Sequence, residues 1–268
     1  MRLRCDALVK TVMLALALPL FLYGRCPADE MPYDRGAEVA KDRGSEIVSS
    51  LLKAYGGAEV VKKVVSVVAK GNITQLLSGK SGHYARYFQR PGRLRIEVMP
   101  EEGGEVRVLN GERGWQATEK GFVAVPELEL QSMLYQYSYL NLPMGLASGN
   151  YHARYGGGQP YKGRETLLLF VQPKHGPRLG ILVDAKSGLI IRVDASFPMG
   201  GSGIGELSTE YGDYRPVDGV QFPHKLTSYA GGIMISEILL DDIQVNRKIP
   251  PELFTPQEIE LRKLPSSP

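Results

Sequence analysis

The sequence predicts a mostly β (α+β) fold, in which about 10 to 11 antiparallel strands follow one another along the chain. From about Val67 onward, apolar side chains recur with a period of two, as in strands with one solvent-exposed face and one buried face. The segment from Arg93 to Val98 alternates strictly between charged and apolar residues. Turn signals separate such segments, among them Asn110-Gly111 and Val217-Asp218-Gly219, which favour tight hairpins.

Two regions are predicted to be helical because their apolar residues fall near the spacing of a helix. The first comprises a helix from about Ala37 to Ala54 and a shorter one from Ala58 to Val65. The second runs from Glu127 to Leu140, and we expect Pro143 and Gly145 to end it. This second helix is rich in tyrosine and has more apolar residues than one narrow stripe needs. That composition suits either a filled core or a helix that covers a cavity.

The N-terminus predicts export across a membrane. Basic residues precede an apolar run from Thr11 to Leu22, which is shorter than the roughly 20 residues of a spanning helix. The run leads to Cys26-Pro27-Ala28, so residues 1–28 are predicted to be a signal peptide cleaved after Ala28. We expect a single β domain at 29–255, a polar C-terminal tail at 256–268 and a periplasmic location. A permanent N-terminal anchor is the alternative.

Cysteine usage and charge agree with export. Both cysteines, Cys5 and Cys26, lie in the predicted signal, so the mature domain needs neither disulfides nor thiol chemistry. Arg25 precedes Cys26 where a lipidation signal requires a small residue, which favours a soluble mature protein. Without residues 1–28 the chain keeps 28 basic and 28 acidic residues. This neutral balance lacks the basic footprint of a nucleic-acid binder.

The sequence shows no recognisable catalytic or metal-binding constellation. Its four histidines have no close metal-ligand spacing, and there is no G-x-S-x-G motif. Asp241 and Asp242 are adjacent on a predicted strand, so we expect them on opposite faces. The glycine-rich run from Gly200 to Gly205 leads into a strand, whereas a phosphate-binding loop opens a helix. We therefore predict no enzyme, no cofactor and no metal, with an exported hydrolase as a less favoured alternative.

Several segments resemble the LolA family of periplasmic outer-membrane lipoprotein carriers. The resemblance lies in Phe88 to Glu97, which contains Arg-Pro before a strand, and in Val108 to Trp115, where an Asn-Gly turn precedes the tryptophan. The ending from Asp242 to Phe254 is also similar. The segment from Tyr211 to Pro223 looks more like a wider set of LolA-like exported proteins. The fold is therefore expected to be shared while the ligand differs.

The resemblance implies an unclosed β-barrel with a helical lid over an apolar cavity that binds acyl chains of a lipid or lipoprotein. By motif, the arginine that latches the lid in this family corresponds to Arg90. The expected ligand-binding residues are Arg90 together with Leu94, Ile96, Val98, Trp115, Met133 and Tyr137. The cavity-lining members could equally form a filled core.

The function predicted from the resemblance is non-catalytic binding and transport of a lipid or acylated lipoprotein by a monomer. It implies an inner-membrane donor and an outer-membrane acceptor as protein partners, and no nucleic acid. The alternatives are an envelope lipid sensor and a scaffolding protein on the same fold. A filled interior would favour the scaffold, whereas a cavity with clustered titratable groups would favour an enzyme.

Overall fold

The structure is a computed structural model that describes residues 33–100, 104–118, 121–198 and 204–256. The predicted signal peptide (1–28) and almost all of the predicted tail lie outside the described residues. No helix in the described ranges is both long and apolar enough to cross a bilayer. The four α-helices described are α1 (Tyr33–Ala54), α2 (Ala58–Lys62), α3 (Glu127–Leu140) and α4 (Leu142–Ala147).

Thirteen strands within the described ranges form one antiparallel sheet. The first six are β1 (Ser66–Gln75), β2 (Lys80–Gln89), β3 (Arg93–Pro100), β4 (Glu105–Asn110), β5 (Arg113–Thr118) and β6 (Gly121–Ala124). The other seven are β7 (Ala153–Tyr161), β8 (Arg164–Val171), β9 (Leu179–Asp184), β10 (Ile190–Pro198), β11 (Ile204–Val217), β12 (Val220–Ala230) and β13 (Ile233–Val245).

The order of the strands shows how the chain builds the sheet. The sheet runs β6-β5-β4-β3-β2-β1-β13-β12-β11-β10-β9-β8-β7, so each half is a sequential meander. Strands β1 to β6 follow one another from the middle of the sheet to one edge. Helices α3 and α4 then connect β6 to β7 at the other edge, and β7 to β13 follow one another back to β1. Only the pairing of β1 with β13 joins the two halves in this sheet, and β6 and β7 remain unpaired edges.

The fold class predicted from the sequence is confirmed, with more strands than the 10 to 11 expected. One strand that the pattern did not indicate is β6, whose four residues are too few to show a period of two. The turns predicted at Asn110-Gly111 and at Val217-Asp218-Gly219 join β4 to β5 and β11 to β12. At the second turn Asp218 and Gly219 both have positive φ, as a two-residue hairpin loop of type I′ requires.

The helix predictions were partly wrong. Helix α3 has the predicted bounds, but α2 ends at Lys62 rather than Val65. Pro143 and Gly145 do not end the central helical region, because Pro143 lies in the first turn of α4, where a missing N–H costs nothing. Gly145 lies inside α4, where the ring of Tyr151 packs against it. A Cβ atom at this position would lie 2.5 Å from Tyr151 Cδ2, which explains a glycine within the helix.

The two faces of the sheet carry separate apolar clusters. The inner face, on which residues of all four described α-helices pack, contributes the larger cluster, including Leu94, Ile96 and Val98 of β3. The outer face carries a small cluster in which Val106 and Val108 of β4 pack with Ile249 and Phe254. Residues 249–254, with the 3-10 helix Pro251–Phe254, therefore fold back onto the outside of β3 and β4.

A bulge at the junction of the two halves corrects the prediction for the paired aspartates. The register shifts opposite Lys70 and Gly71, so that Asp242 pairs with Lys70 while Leu240 pairs with Gly71. Leu240 and Ile243 are both buried, and the two aspartates between them lie together on the outer face. Asp241 accepts a hydrogen bond from Asn72 Nδ2 at 3.2 Å.

The bulge predicts a sensitive position in β1. A Cβ atom on Gly71 would lie 2.0 Å from the carbonyl oxygen of Leu239, so the backbones of β1 and β13 would have to separate. We expect Gly71→Ala to lower the free energy of unfolding by about 1–3 kcal/mol, measured by urea denaturation. The matched control is Gly212→Ala in β11, where a Cβ atom meets only the Lys225 side chain at 3.7 Å. That change should stay within about 0.5 kcal/mol, and equal effects of the two substitutions would contradict the account.

Candidate functional site

Helix α3 is fixed to both halves of the sheet by two tyrosines. Tyr135 donates a hydrogen bond to the carbonyl of Val193 in β10 at 2.9 Å and contacts Thr209 Oγ1 of β11 at 3.0 Å. Tyr137 accepts a hydrogen bond from the backbone N–H of Gly92 at 2.8 Å, and its ring stacks on Phe88 of β2. Residues two apart on a helix point to different sides, so α3 spans the inner face between the two halves.

The turn between β2 and β3 also contacts the other helices, through Arg90. Its Nη1 donates to the carbonyl of Val64 at 3.1 Å and to that of Lys62 at 3.4 Å, at the end of α2. Its Nη2 donates to Ser148 Oγ at 2.6 Å, and Ser148 in turn donates to the carbonyl of Met144. One guanidinium thus joins α2, α4 and the sheet, which a fork of several donors makes feasible.

Between α3 and the inner face lies an open groove of about 410 Å³, which we call the inner groove. It lies at the end of the sheet where β1 turns into β2 and β12 turns into β13. Apolar side chains from β1, β2, β3, β13 and α3 form its floor, and polar ones line its other wall. The apolar members are Ile73, Leu77, Tyr84, Ile96, Val98, Tyr139, Ile235 and Ile238. The polar members are Gln75, Ser78, Glu105, Arg107, Ser132, Gln136, Ser228 and Ser236.

Exposed apolar side chains surround this end of the sheet and form what we call the apolar rim. They lie where the strand pairs β1–β2, β12–β13 and β10–β11 end. Leu77 is 75% exposed, Ile233 is 61% exposed and Ile204 is 70% exposed, with Met234 also exposed. Large apolar side chains that cluster in water mark sites where an apolar partner binds.

A second space, the central cavity, lies deeper in the molecule, beneath the junction of α3 and α4. Its volume is about 40 Å³, which is room for little more than one water molecule. Tyr139 lines both this cavity and the inner groove, so its ring stands between them. Tyr55, Arg86, Phe88 and Tyr211 are among the other residues around it. The interior is therefore nearly filled here, and the open space lies toward the rim.

Arg86 of β2 is the one charged side chain in the described lining of the central cavity. Arg86 is 4% exposed, and its Nε and Nη1 atoms are buried without a hydrogen-bond partner among the described residues. The hydroxyl of Tyr211, on the same cavity, is also buried, and the described part of the chain offers it no partner. Buried polar groups normally have partners, and an unpaired buried charge is costly.

The tyrosines around the cavity are neutral hydrogen-bond donors at neutral pH. Burial raises the pKa of the Tyr139 and Tyr211 hydroxyls well above the usual range, although the nearby Arg86 charge opposes the rise. Because the phenols keep their protons, they do not neutralise the guanidinium. The Tyr211 hydroxyl, which has no partner among the described residues, can donate to an anion placed beside the guanidinium.

Six of the seven predicted ligand-binding residues either lie on the inner side of the sheet or make the hydrogen bonds that join the helices to the sheet. Ile96 and Val98 line the inner groove, and Leu94 is buried on the same face of β3. Met133 is buried where α3 approaches β5, since a Cβ on Gly114 would lie 3.0 Å from its sulfur. Arg90 and Tyr137 make the attachments described above.

Trp115 is not brought together with the others. It pairs with Val108 of β4 and packs in the cluster on the outer face. A hairpin shifted by one residue would have turned Trp115 inward, so its face depends on the register of β4 with β5. Arg86, which faces inward, was not recognised in the sequence. The signal was available, because it stands between Tyr84 and Phe88 at the inward positions of an alternating strand.

The described residues include no group of three or more side chains of the types that hold metal ions. The inner groove contains one ion pair, Arg107 Nε to Glu105 Oε1 at 2.8 Å. Ser132, Ser228 and Ser236 also line it, but its described lining has no histidine or lysine that could activate a serine. The arrangement is suited to holding an amphipathic molecule.

The open sheet with helices across its inner face recurs in solved structures. A domain from Vibrio parahaemolyticus described as an outer membrane lipoprotein-sorting protein aligns with a TM-score of 0.52, at 10% identity, over 80% of this chain and 97% of its own. The chain has a LolA-like fold. A DUF1329 family protein from Desulfovibrio piger also aligns with a TM-score of 0.52, at 10% identity, over 81% and 97% of the two chains.

A LolA superfamily protein from Nitrosomonas europaea aligns with a TM-score of 0.48 at 13% identity, over 78% and 97% of the two chains. No family model matches the sequence, and no curated protein matches it. The alignments with the Vibrio and Desulfovibrio structures show that the fold is shared, and they do not identify a ligand for this chain.

The contacts of Arg90 predict how the helices are attached. Arg90→Gln cannot reach the end of α2 and Ser148 together, so α4 should open more often. We expect amide hydrogens of residues 142–148 to exchange about tenfold faster or more, measured by hydrogen exchange with mass spectrometry. The matched control is Arg93→Gln on the same hairpin, where the guanidinium donates only to Gln89 Oε1 among the described residues. If α4 exchanges equally fast in both variants, Arg90 does not latch it.

Proposed function

We propose that this protein is a non-catalytic carrier that binds the acyl chain of a lipid or lipoprotein in the inner groove, beneath a helical lid formed by α3 and α4. The observation that carries the proposal is the open groove of about 410 Å³ between α3 and the apolar inner face. Its volume lies within the usual range for ligand sites, about 300–1,000 Å³. The groove opens at the apolar rim, where Leu77 lines its entrance.

Burial of methylene groups can supply the affinity. Each buried methylene contributes about 0.8 kcal/mol, so about ten of them give about 8 kcal/mol. That free energy corresponds to a dissociation constant of about 1 μM before the costs of association are subtracted. Because this attraction is not directional, chain length and head group would decide which lipid is preferred.

Movement of the lid would determine how much of a chain fits. The central cavity is nearly filled by Tyr139, Phe88 and Met144, so a longer chain has to displace α3 or α4. The polar contacts that hold these helices are few: Arg90 to Ser148, Tyr137 to Gly92 and Tyr135 to the β10–β11 region. Hydrogen bonds of this kind can break and re-form at modest cost, which suits a lid.

The proposal includes a cellular setting. Residues 1–28 have the pattern of an export signal, so we place the mature protein in the periplasm, as a soluble monomer. There a carrier would receive its cargo from an inner-membrane donor and deliver it to an outer-membrane acceptor. The apolar rim, with Leu77 and Ile233 at its tips, is the surface that these partners would face.

A substitution that fills the groove tests the proposal. Ser132 of α3 faces the inner groove, and Ser132→Trp should occupy part of its volume. We expect a fluorescent C16 fatty-acid probe to bind this variant at least about tenfold more weakly than the unmodified protein, because a ring replaces buried methylenes. The measurement is a fluorescence titration at neutral pH.

The control is Gln131→Trp, one residue earlier on the same helix, where the side chain donates a hydrogen bond to Glu127 at an exposed position. This variant should bind the probe as the unmodified protein does. Equal binding by all three proteins would place the probe outside the groove, and absence of binding by the unmodified protein would favour a scaffolding role.

A further inference from the structure

Arg86, on the inner face, is a buried cation with no counter-ion in the part of the chain that the structure describes. Arg86 and Arg95 are both 4% exposed, but they lie on opposite faces of the sheet. Arg95, on the outer face, pairs with Glu97 Oε1 at 2.6 Å and donates to the carbonyl of Leu253. Arg86 has no ion pair among the described residues. The two arginines are therefore equally buried but differ in whether a negative charge is present.

We propose that Arg86 binds the anionic group of the cargo, so that the ligand is an amphiphile with a carboxylate or phosphate at one end of an apolar chain. This proposal rests on the proposed function and specifies its ligand. A buried guanidinium is costly unless an anion pairs with it, and its planar fork of donors matches a carboxylate or a phosphate.

The surroundings of Arg86 fit such a group. The hydroxyl of Tyr211, buried and without a partner, lies on the same cavity and can donate a second hydrogen bond to an anion. The central cavity of about 40 Å³ has room for a small polar group but not for a chain. Tyr139 lines this cavity and the inner groove alike, so the chain would pass its ring and lie in the groove.

The proposal also predicts the effect of Arg86 on the free protein. Removal of an unpaired buried charge relieves its desolvation cost, so Arg86→Met should raise the melting temperature by about 2 °C or more. Arg95→Met removes one member of a buried pair and leaves Glu97 unpaired, so it should lower the melting temperature. Changes in melting temperature of opposite sign would distinguish Arg86, as a ligand-binding arginine, from Arg95, as a structural one.

The decisive measurement compares ligands that share a chain and differ at its end. Isothermal titration at neutral pH would use hexadecanoate, hexadecyl phosphate, hexadecanol and inorganic phosphate with the full mature protein. We expect one or both of the anionic amphiphiles to bind about 10- to 100-fold more tightly than hexadecanol. Arg86→Met should lose this preference while still binding hexadecanol, and Arg86→Lys and Arg95→Met should keep it.

The outcomes separate the inference from the function on which it rests. Equal binding of hexadecanoate, hexadecyl phosphate and hexadecanol by the unmodified protein would overturn the role of Arg86 and leave an acyl-chain carrier. Failure of all three to bind would overturn the proposed function itself. Binding of inorganic phosphate as tight as that of hexadecyl phosphate would show an anion site that is independent of the chain, which also contradicts the proposal. The ligand comparison stands on the unmodified protein even if Arg86→Met does not fold.

Discussion

The apolar inner face of the sheet has to be buried, and the rest of the structure depends on this constraint. A sheet with thirteen described strands presents a broad apolar surface, and the chain crosses the middle of it with only α3 and α4. Apolar surface left in water costs about 25 cal/mol per Å², so burial favours helices that lie on this face, and α1 and α2 also pack on part of it. The part that they leave uncovered is the inner groove.

The way in which the helices are attached follows from the topology. The chain leaves the sheet at β6 and re-enters it at β7, on the opposite edge, so the connection has to cross the inner face. Three polar side chains then fix this crossing to the two halves of the sheet: Tyr135, Tyr137 and Arg90. A connection held at its ends and by a few hydrogen bonds can move as a unit without disturbing the ladder of strands.

Much of the fold was predictable because it depends on local patterns. Alternation along β3 placed Leu94, Ile96 and Val98 on one face, and Pro126 with the acidic first turn located the start of α3. The features that were missed depend on contacts distant in sequence. Residues 249–254 return to cover the outer face, where Trp115 packs, and no local pattern indicates that return. Likewise, the strand containing Arg86 was predicted, but the absence of a partner for its guanidinium can only be seen in three dimensions.

The proposed ligand has two different ends. In the proposal, apolar side chains of the inner groove contribute affinity without direction, and Arg86, which has no ion pair among the described residues, selects the anionic group.

Native mass spectrometry of the protein purified from the cells that produce it would show directly whether it carries such a ligand. We expect a one-to-one complex with an amphiphile that has an acyl chain and an anionic group, and that organic extraction releases. A single unliganded mass, unchanged after incubation with fatty acids, lysophospholipids and acylated peptides, would contradict it.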